Sequence, residues 1–276
     1  MEPTIFTLDD LGTPHTEALG WQWAYGCFET FLWENDRIVG LEWHAERLLF
    51  GCKNLGLGPT FPPEEAPARI LAALQGYSGT TCRVRIEAVL DDAGFLGAGK
   101  PPFAMRVGGR LARWEKAAES TEFSLKVLTD PRQELLQPSP GYKPLDYAAR
   151  MAMRNELLRR GVDEGLVARP DGIVIGGLVS NLFVSMDGEN WKTPTLSSGC
   201  LPGVTRQILL NEVEEISASA AEIRREDLRE ATSVFVSNSV VGVQPVHRFF
   251  YGDRSWKNLD PAPAEAVREI YSSAFV

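Results

Sequence analysis

The chain has 276 residues, 44% of them hydrophobic and 24% charged, enough for one large domain or two smaller ones with a core that needs no disulfide or metal. Its formal net charge of −9, with no long basic run to offset it, argues against nucleic-acid binding by counterion release. No apolar run reaches the ~18 residues of a membrane helix, and the acidic start MEPTIFTLDDLG lacks a basic region followed by an apolar stretch, so a cytoplasmic protein is expected.

Residues 27–39, CFETFLWENDRIV, read as two extended segments around an Asn35-Asp36 turn. A helix follows in LEWHAERLLFGCKNLG, where Leu41, Leu48, Leu49, Cys52 and Leu55 recur at helical spacing and Gly56 and Gly58 stop it. A second helix is predicted over 63–75, then strands at TCRVRIEAVL and 103–108. Residues 109–122 lose apolar periodicity and become charged and small. The chain therefore divides into an N-terminal domain 1–112, a linker 113–122 and a C-terminal domain 123–276. In the latter, FSLKVLTD reads as a strand and 146–160 as a helix capped by Gly161. Strand-like pieces GLVAR, GIVI, NLFVS and SVFVSN come next, with helices at 205–215 and 263–273. The pattern is mixed α+β in two domains.

Four widely spaced cysteines (Cys27, Cys52, Cys82, Cys200) with no CxxC pair read as reduced thiols. The histidines His15, His44 and His247 are too scattered for a zinc site. Arg150, Arg154, Arg159 and Arg160 share one predicted helix, most simply a solvated or interface-facing side. A lone lysine in GYKPLDY is ordinarily a surface lysine, and Arg47 on a helix is ordinarily a solvated charge. LPGVTR has a definite alternative to a plain loop. Gly203 permits close backbone approach, and the N–H groups of a helix starting near Thr205 can hold a phosphate, with the Thr205 hydroxyl as a further donor.

The order of these segments carries more than each alone. YGCFET, HAERL, GYKPLDY, DEGLVARPDG, SNLF, TP, LPGVTR and FVSNSVVGVQPV follow one another from about residue 20 to 247. This series resembles the fold-type IV family of pyridoxal-phosphate (PLP) enzymes, which includes branched-chain and D-amino-acid aminotransferases and aminodeoxychorismate lyase. The resemblance implies a two-domain α+β fold, PLP as cofactor and a homodimer. It makes Lys143 the Schiff-base lysine and Arg47 a ligand of the cofactor phosphate. It places Tyr147 near the cofactor's phenolic oxygen, Val204 and Thr205 at the phosphate-binding helix start, and Ser239 as a hydroxyl reaching that phosphate. Asn181 matches a structural asparagine. The residue types suit these roles: a buried lysine is more readily neutral and nucleophilic, and a guanidinium forks onto a phosphate.

One position departs from the family. The glutamate that pairs with the pyridine nitrogen aligns with Gly176, and no acidic residue occurs between Asp171 and Asp187. A charge-assisted hydrogen bond of about 1.5–3 kcal/mol is thereby missing, which leaves open a slower enzyme, a chemistry with less ring protonation, or a pseudoenzyme. Asn238, Ser239 and Gly242 in FVSNSVVGVQPV follow the lyase style, as do YGCFET and GYKPLDY. The expected reaction is loss of pyruvate from 4-amino-4-deoxychorismate to give 4-aminobenzoate, a folate precursor. The alternatives are a class IV aminotransferase for branched-chain or D-amino acids, and a divergent, weak or inactive homologue.

Overall fold

In a computed structural model, residues 4–9, 18–91, 99–100, 102–115, 122–128, 136, 139–251 and 256–275 are described. Residues 116–121 of the expected linker and 129–130 of the expected strand lie outside them. The chain packs as two units, residues 1–115 with 141–146 and residues 116–140 with 147–276.

The first unit contains β1 (Thr4–Thr7), α1 (Gly20–Trp23), β2 (Gly26–Trp33), α2 (Leu41–Asn54), β3 (Leu57–Gly58), α3 (Ala66–Leu74), β4 (Cys82–Leu90) and β5 (Phe103–Arg113). Its sheet runs β1-β5-β4-β2, all neighbours antiparallel, with β3 added parallel to β5. Side chains alternate across a strand, so Phe31 and Trp33 of β2, Val84 and Ile86 of β4, and Leu111 of β5 share one face. That face forms the core with Leu48 of α2 and Ile70 and Leu74 of α3. Along α2 the buried residues Leu41, His44, Ala45, Arg47, Leu48 and Cys52 fall at three- and four-residue spacing, so His44 and Arg47 are drawn inward with the apolar stripe. Glu42 in its first turn and Lys53 in its last suit the helix dipole.

The expected turn at Asn35-Asp36 is present, both residues at positive φ (52° and 58°), but its second arm is only the Glu34–Arg37 bridge and not a strand. The strand expected at 103–108 continues to Arg113, five residues further, because β5 stays paired with β4 along its length. Its glycines had hidden the pattern. A Cβ on Gly109 would collide with the Phe6 ring that lies over the sheet.

The second unit contains β6 (Ser124–Val127), α4 (Ala148–Arg159), β7 (Glu164–Ala168), β8 (Val174–Gly177), β9 (Asn181–Ser185), β10 (Trp191–Pro194), α5 (Val204–Asn211), β11 (Ala218–Ala221), β12 (Ser233–Asn238), β13 (Gly242–Pro245), β14 (Arg248–Phe250), β15 (Trp256–Asn258) and α6 (Ala262–Phe275). Two five-stranded sheets result, β11-β10-β9-β12-β13 and β15-β14-β6-β7-β8. Leu125, Val127, Leu166, Ala168 and Val174 from one meet Leu182, Val184, Val234 and Val236 from the other. The alternate residues of β9 and β12 face the other way, where Phe183 stacks on Phe235 at 4.6 Å and Trp191 leans on Phe235 at 4.7 Å. Each such ring buried is worth roughly 1.5–3 kcal/mol. Gly161, at φ 72°, closes α4 as expected, whereas the helix expected at 205–215 ends at Asn211.

The segment Gly141–Asp146, expected within the C-terminal domain, belongs to the first unit instead. The reason is backbone pairing: Phe28 N–H donates to Lys143 O (2.9 Å), Leu145 N–H donates to Gly26 O (3.0 Å), and Cys27 bridges Pro144. The segment thus continues the sheet beyond β2.

Candidate active site

Pairing with β2 sets Lys143 opposite Phe28, and its Nζ stands 5.4 Å from the centre of the Phe28 ring. Part of the side chain remains reachable by solvent, but protein surrounds the amine. Burial lowers its pKa to about 8; the charges of Arg47, Arg85 and Arg83 add to this and that of Glu29 opposes it. A lysine of this kind has an appreciable neutral, nucleophilic fraction near neutrality.

Arg47 is not a solvated charge. Its Nε donates to Oε1 of Glu29 and its Nη2 to Oε2, both at 2.7 Å, in the forked geometry that suits a guanidinium and a carboxylate. His44 Nδ1 lies 2.7 Å from the same Oε2. All three residues are buried. Burial disfavours the Glu29 carboxylate, yet Arg47 and His44 together hold its pKa well below the usual range. The ionised carboxylate can only accept, so Nδ1 carries the proton. Burial also lowers the His44 pKa, so the ring is neutral and Nε2 is a bare acceptor, with no hydrogen-bond partner among the described residues. Glu29 and His44 lie inside the YGCFET and HAERL motifs that marked Arg47. Their own roles were not read from the sequence, because the contact needs the register between β2 and α2.

Phe28 faces away from the core, toward Arg83, Arg85 and Glu87 of β4 and Arg110 of β5. The Arg85 guanidinium lies 3.7 Å from the centre of the Phe28 ring, and its Nε donates to Glu87 at 2.5 Å. Arg110 also donates to Glu87, at 3.2 and 3.3 Å. Three arginines therefore share a face with one buried carboxylate, and two of the cations around Lys143 come from it.

In the second unit, Asn181 opens β9 and pairs with Ser237 on β12. Asn181 Nδ2 donates to Leu201 O at 2.8 Å, and its Oδ1 sits so near Gly203 that a Cβ there would collide with it. Gly203 is the N-cap of α5 and offers no side chain to that terminus, so Val204 and Thr205 begin a helix without a side-chain cap. Burial raises the pKa of the Tyr271 phenol, and Thr205 opposes the rise. Ser237 Oγ is buried and has no hydrogen-bond partner among the described residues. Ser239 lies in the following turn, which Asn238 Oδ1 holds by accepting Val240 N–H (2.9 Å) and Val241 N–H (3.0 Å). An uncapped helix start, a glycine pressed on an asparagine and an orphaned hydroxyl fit an anion such as a phosphate. Tyr147 immediately precedes α4, its ring 5.6 Å from the Arg150 guanidinium.

Gly176 lies in β8 at φ 145°, and a Cβ there would come 3.2 Å from Ser180 O. The nearby Glu164 does not take over its role. Its Oε1 accepts Gly165 N–H (2.8 Å) and Leu178 N–H (3.1 Å), and its Oε2 accepts Ser180 Oγ–H (3.1 Å) and Val179 N–H (3.4 Å). That carboxylate is committed to shaping the turn between β8 and β9.

The four cysteines are free and buried, with Cys27 and Cys52 Sγ 3.8 Å apart. Among the described residues no helix is long and apolar enough to cross a membrane, and no cluster of three or more His, Cys, Asp or Glu could hold a metal.

Residues 26–249 match the family model described as amino-transferase class IV. The aminodeoxychorismate lyase of Bacillus subtilis (strain 168) is 28% identical over 248 residues, 86% of this chain and 82% of the relative. The branched-chain-amino-acid aminotransferase of Escherichia coli (strain K12) is 31% identical over 103 residues, 37% of this chain and 33% of that protein. Among solved structures, a fold IV-transaminase from Curtobacterium pusillum superposes with a TM-score of 0.77 at 22% identity, covering 99% of each chain.

Proposed function

This chain belongs to the class IV amino-transferase family, and we propose that within it the protein is a PLP-dependent lyase that releases pyruvate from 4-amino-4-deoxychorismate and leaves 4-aminobenzoate. The observation that carries the reading is Lys143: an amine held at the β2 edge by backbone pairing, surrounded by protein, with its pKa lowered to about 8. In this reading Lys143 is the covalent partner of the cofactor, and Arg47, Tyr147, Val204, Thr205 and Ser239 are its binding residues.

PLP, when bound, supplies the electron sink for charge developing at the substrate Cα. The chain supplies the rest. Lys143 would hold the cofactor and, as a neutral amine, could move a proton at the substrate Cα. Arg47 and, by itself, the α5 terminus each offer positive charge that suits a phosphate. Gly176 leaves the chain without a carboxylate at the position the resemblance assigns to the ring nitrogen, so the sink is weaker and residues that gather the substrate matter more. Arg83, Arg85 and Arg110, sharing the Phe28 face with Lys143, suit a substrate with two carboxylates. The lyase reading is also favoured by the relative that matches most of the chain, whereas the aminotransferase from Escherichia coli matches 37% of it. A cytoplasmic homodimer is part of the same proposal.

The test supplies PLP-loaded protein with aminodeoxychorismate and measures pyruvate by a coupled dehydrogenase, beside parallel incubations with L- and D-amino acids. Pyruvate release faster than amino transfer supports the lyase. Conversion of the cofactor to its amine form by amino acids, with no pyruvate from aminodeoxychorismate, makes the protein an aminotransferase. PLP binding with neither activity makes it a non-catalytic homologue, the reading that Gly176 motivates.

A further inference from the structure

Glu29 stands where two functions meet. On one side it takes the Arg47 fork at 2.7 Å through both oxygens. On the other, β2 continues from Glu29 directly into Phe28, whose N–H holds Lys143 O at 2.9 Å. A surface carboxylate in such a pairing would contribute little, but Glu29 is 1% exposed. A buried carboxylate must be matched by donors, and this one has three, the third from His44.

We propose that Glu29, steadied by His44, is a positioning residue for this centre: it aims the Arg47 guanidinium, and its negative charge offsets the arginines around the Lys143 amine. The second effect follows from the charges that face Lys143. Arg47 of α2 and Arg83 and Arg85 of β4 all disfavour the ammonium form and Glu29 of β2 opposes them, while Glu87, the other buried carboxylate on the Phe28 face, is held by Arg85 and Arg110. His44 lies in the same field but is neutral, so it acts as a donor that fixes Glu29 and not as a further charge. Without Glu29, the amine would lose proton affinity while Arg47 lost the partner that orients it.

The two effects have opposite signatures, which separates them from general loosening. In the cofactor-free protein, Lys143 is labelled with an acylating reagent across a pH series and quantified by peptide mass spectrometry. Glu29→Gln is expected to raise labelling at pH 7 by several-fold to about tenfold, since a lower pKa leaves more neutral amine. An unfolded variant would instead expose an ordinary lysine and label more slowly at pH 7. Glu29→Asp keeps the charge but shortens the reach, so it should label like wild type. The second arm, which rests on the PLP reading above, compares binding of PLP with that of pyridoxal, which lacks the phosphate. Both Glu29 variants should lower the PLP-to-pyridoxal affinity ratio by about tenfold or more, the scale of a lost charge-assisted pair; the ratio is the readout because a more neutral amine in Glu29→Gln favours both compounds alike. If Glu29→Gln does not fold, the Glu29→Asp variant alone decides through the PLP-to-pyridoxal ratio. Wild-type labelling together with an unchanged ratio overturns the proposal. Wild-type protein that binds neither compound defeats the PLP reading, while the labelling series still decides the role of Glu29.

Discussion

Installing a carboxylate at Gly176 is the direct way to test whether its absence limits the chemistry, and the backbone opposes it. Gly176 sits at φ 145°, a conformation that side chains other than glycine rarely adopt. Forcing one there costs about 1–3 kcal/mol, and its Cβ would press on Ser180 O at 3.2 Å, in a turn already fixed by Glu164. The possible gain, a charge-assisted hydrogen bond of about 1.5–3 kcal/mol, exists only with the cofactor present. Gly176→Glu should therefore lower the stability of the cofactor-free protein by about 1–3 kcal/mol, or roughly 2–12 °C in Tm for a unit of this size. Gly176→Ala separates the terms, because it carries the strain without the carboxylate. Melting curves with and without PLP, together with Cα proton exchange of a bound amino acid, provide the assay. A larger PLP-induced rise in Tm for Glu than for Ala, with about tenfold faster exchange than wild type, would show that the new carboxylate reaches the ring. Cofactor-free Ala and Glu variants that melt with wild type would refute the strain argument. Gly177→Glu is not a neutral control, since a side chain there would collide with Ser180 Oγ and approach Glu164 Cδ at 3.3 Å.

Borohydride reduction of the PLP-loaded protein should place the pyridoxyl group on Lys143 by peptide mapping; label on another lysine would remove Lys143 from its role. The reactivity of Lys143 in the cofactor-free protein should rise about tenfold per pH unit and level off above about pH 8, because its lowered pKa leaves the amine neutral beyond that point; a rise continuing to pH 10 contradicts the burial argument. Arg47→Ala leaves Glu29 as a buried carboxylate without its main partner and should destabilise the protein by about 3–5 kcal/mol in urea melts, so weakened cofactor binding in this variant is read against its stability. Gly203→Ala should displace the Asn181 amide from its bond to Leu201 and weaken PLP by about tenfold, with pyridoxal little affected; equal loss of both would mean general damage and not a damaged phosphate site.

Periodicity made α2 legible through its single apolar stripe, Gly161 marked the end of α4, and the strands around NLFVS and SVFVSN showed as short apolar runs, buried on both faces. Periodicity failed where crowding replaced hydrophobicity as the constraint. Gly108 and Gly109 broke the pattern of β5 although the strand runs through them. The short strands β11 and β14 are set by pairing with β10 and β6, far along the chain, and β13 and β15 are two short edge strands with too few residues to show a period. For the site, motif order singled out Lys143 and Arg47 but not the carboxylate between them. Glu29 alternates onto the core face of β2, where a sequence reading expects an apolar residue, and only the packing of α2 supplies the donors that make it tolerable.

The lysine-bearing segment also shields an edge. β2 ends its sheet, and without residues 143–145 the Phe28 N–H and the Gly26 carbonyl would be presented to any passing strand. A fragment ending at residue 115 would keep every other strand of the first unit yet lose this cover. It is expected to self-associate through the bared side of β2. The same few residues thus carry Lys143 and cover the open side of β2, so a substitution that breaks their pairing is expected to cost solubility as well as the placing of that amine.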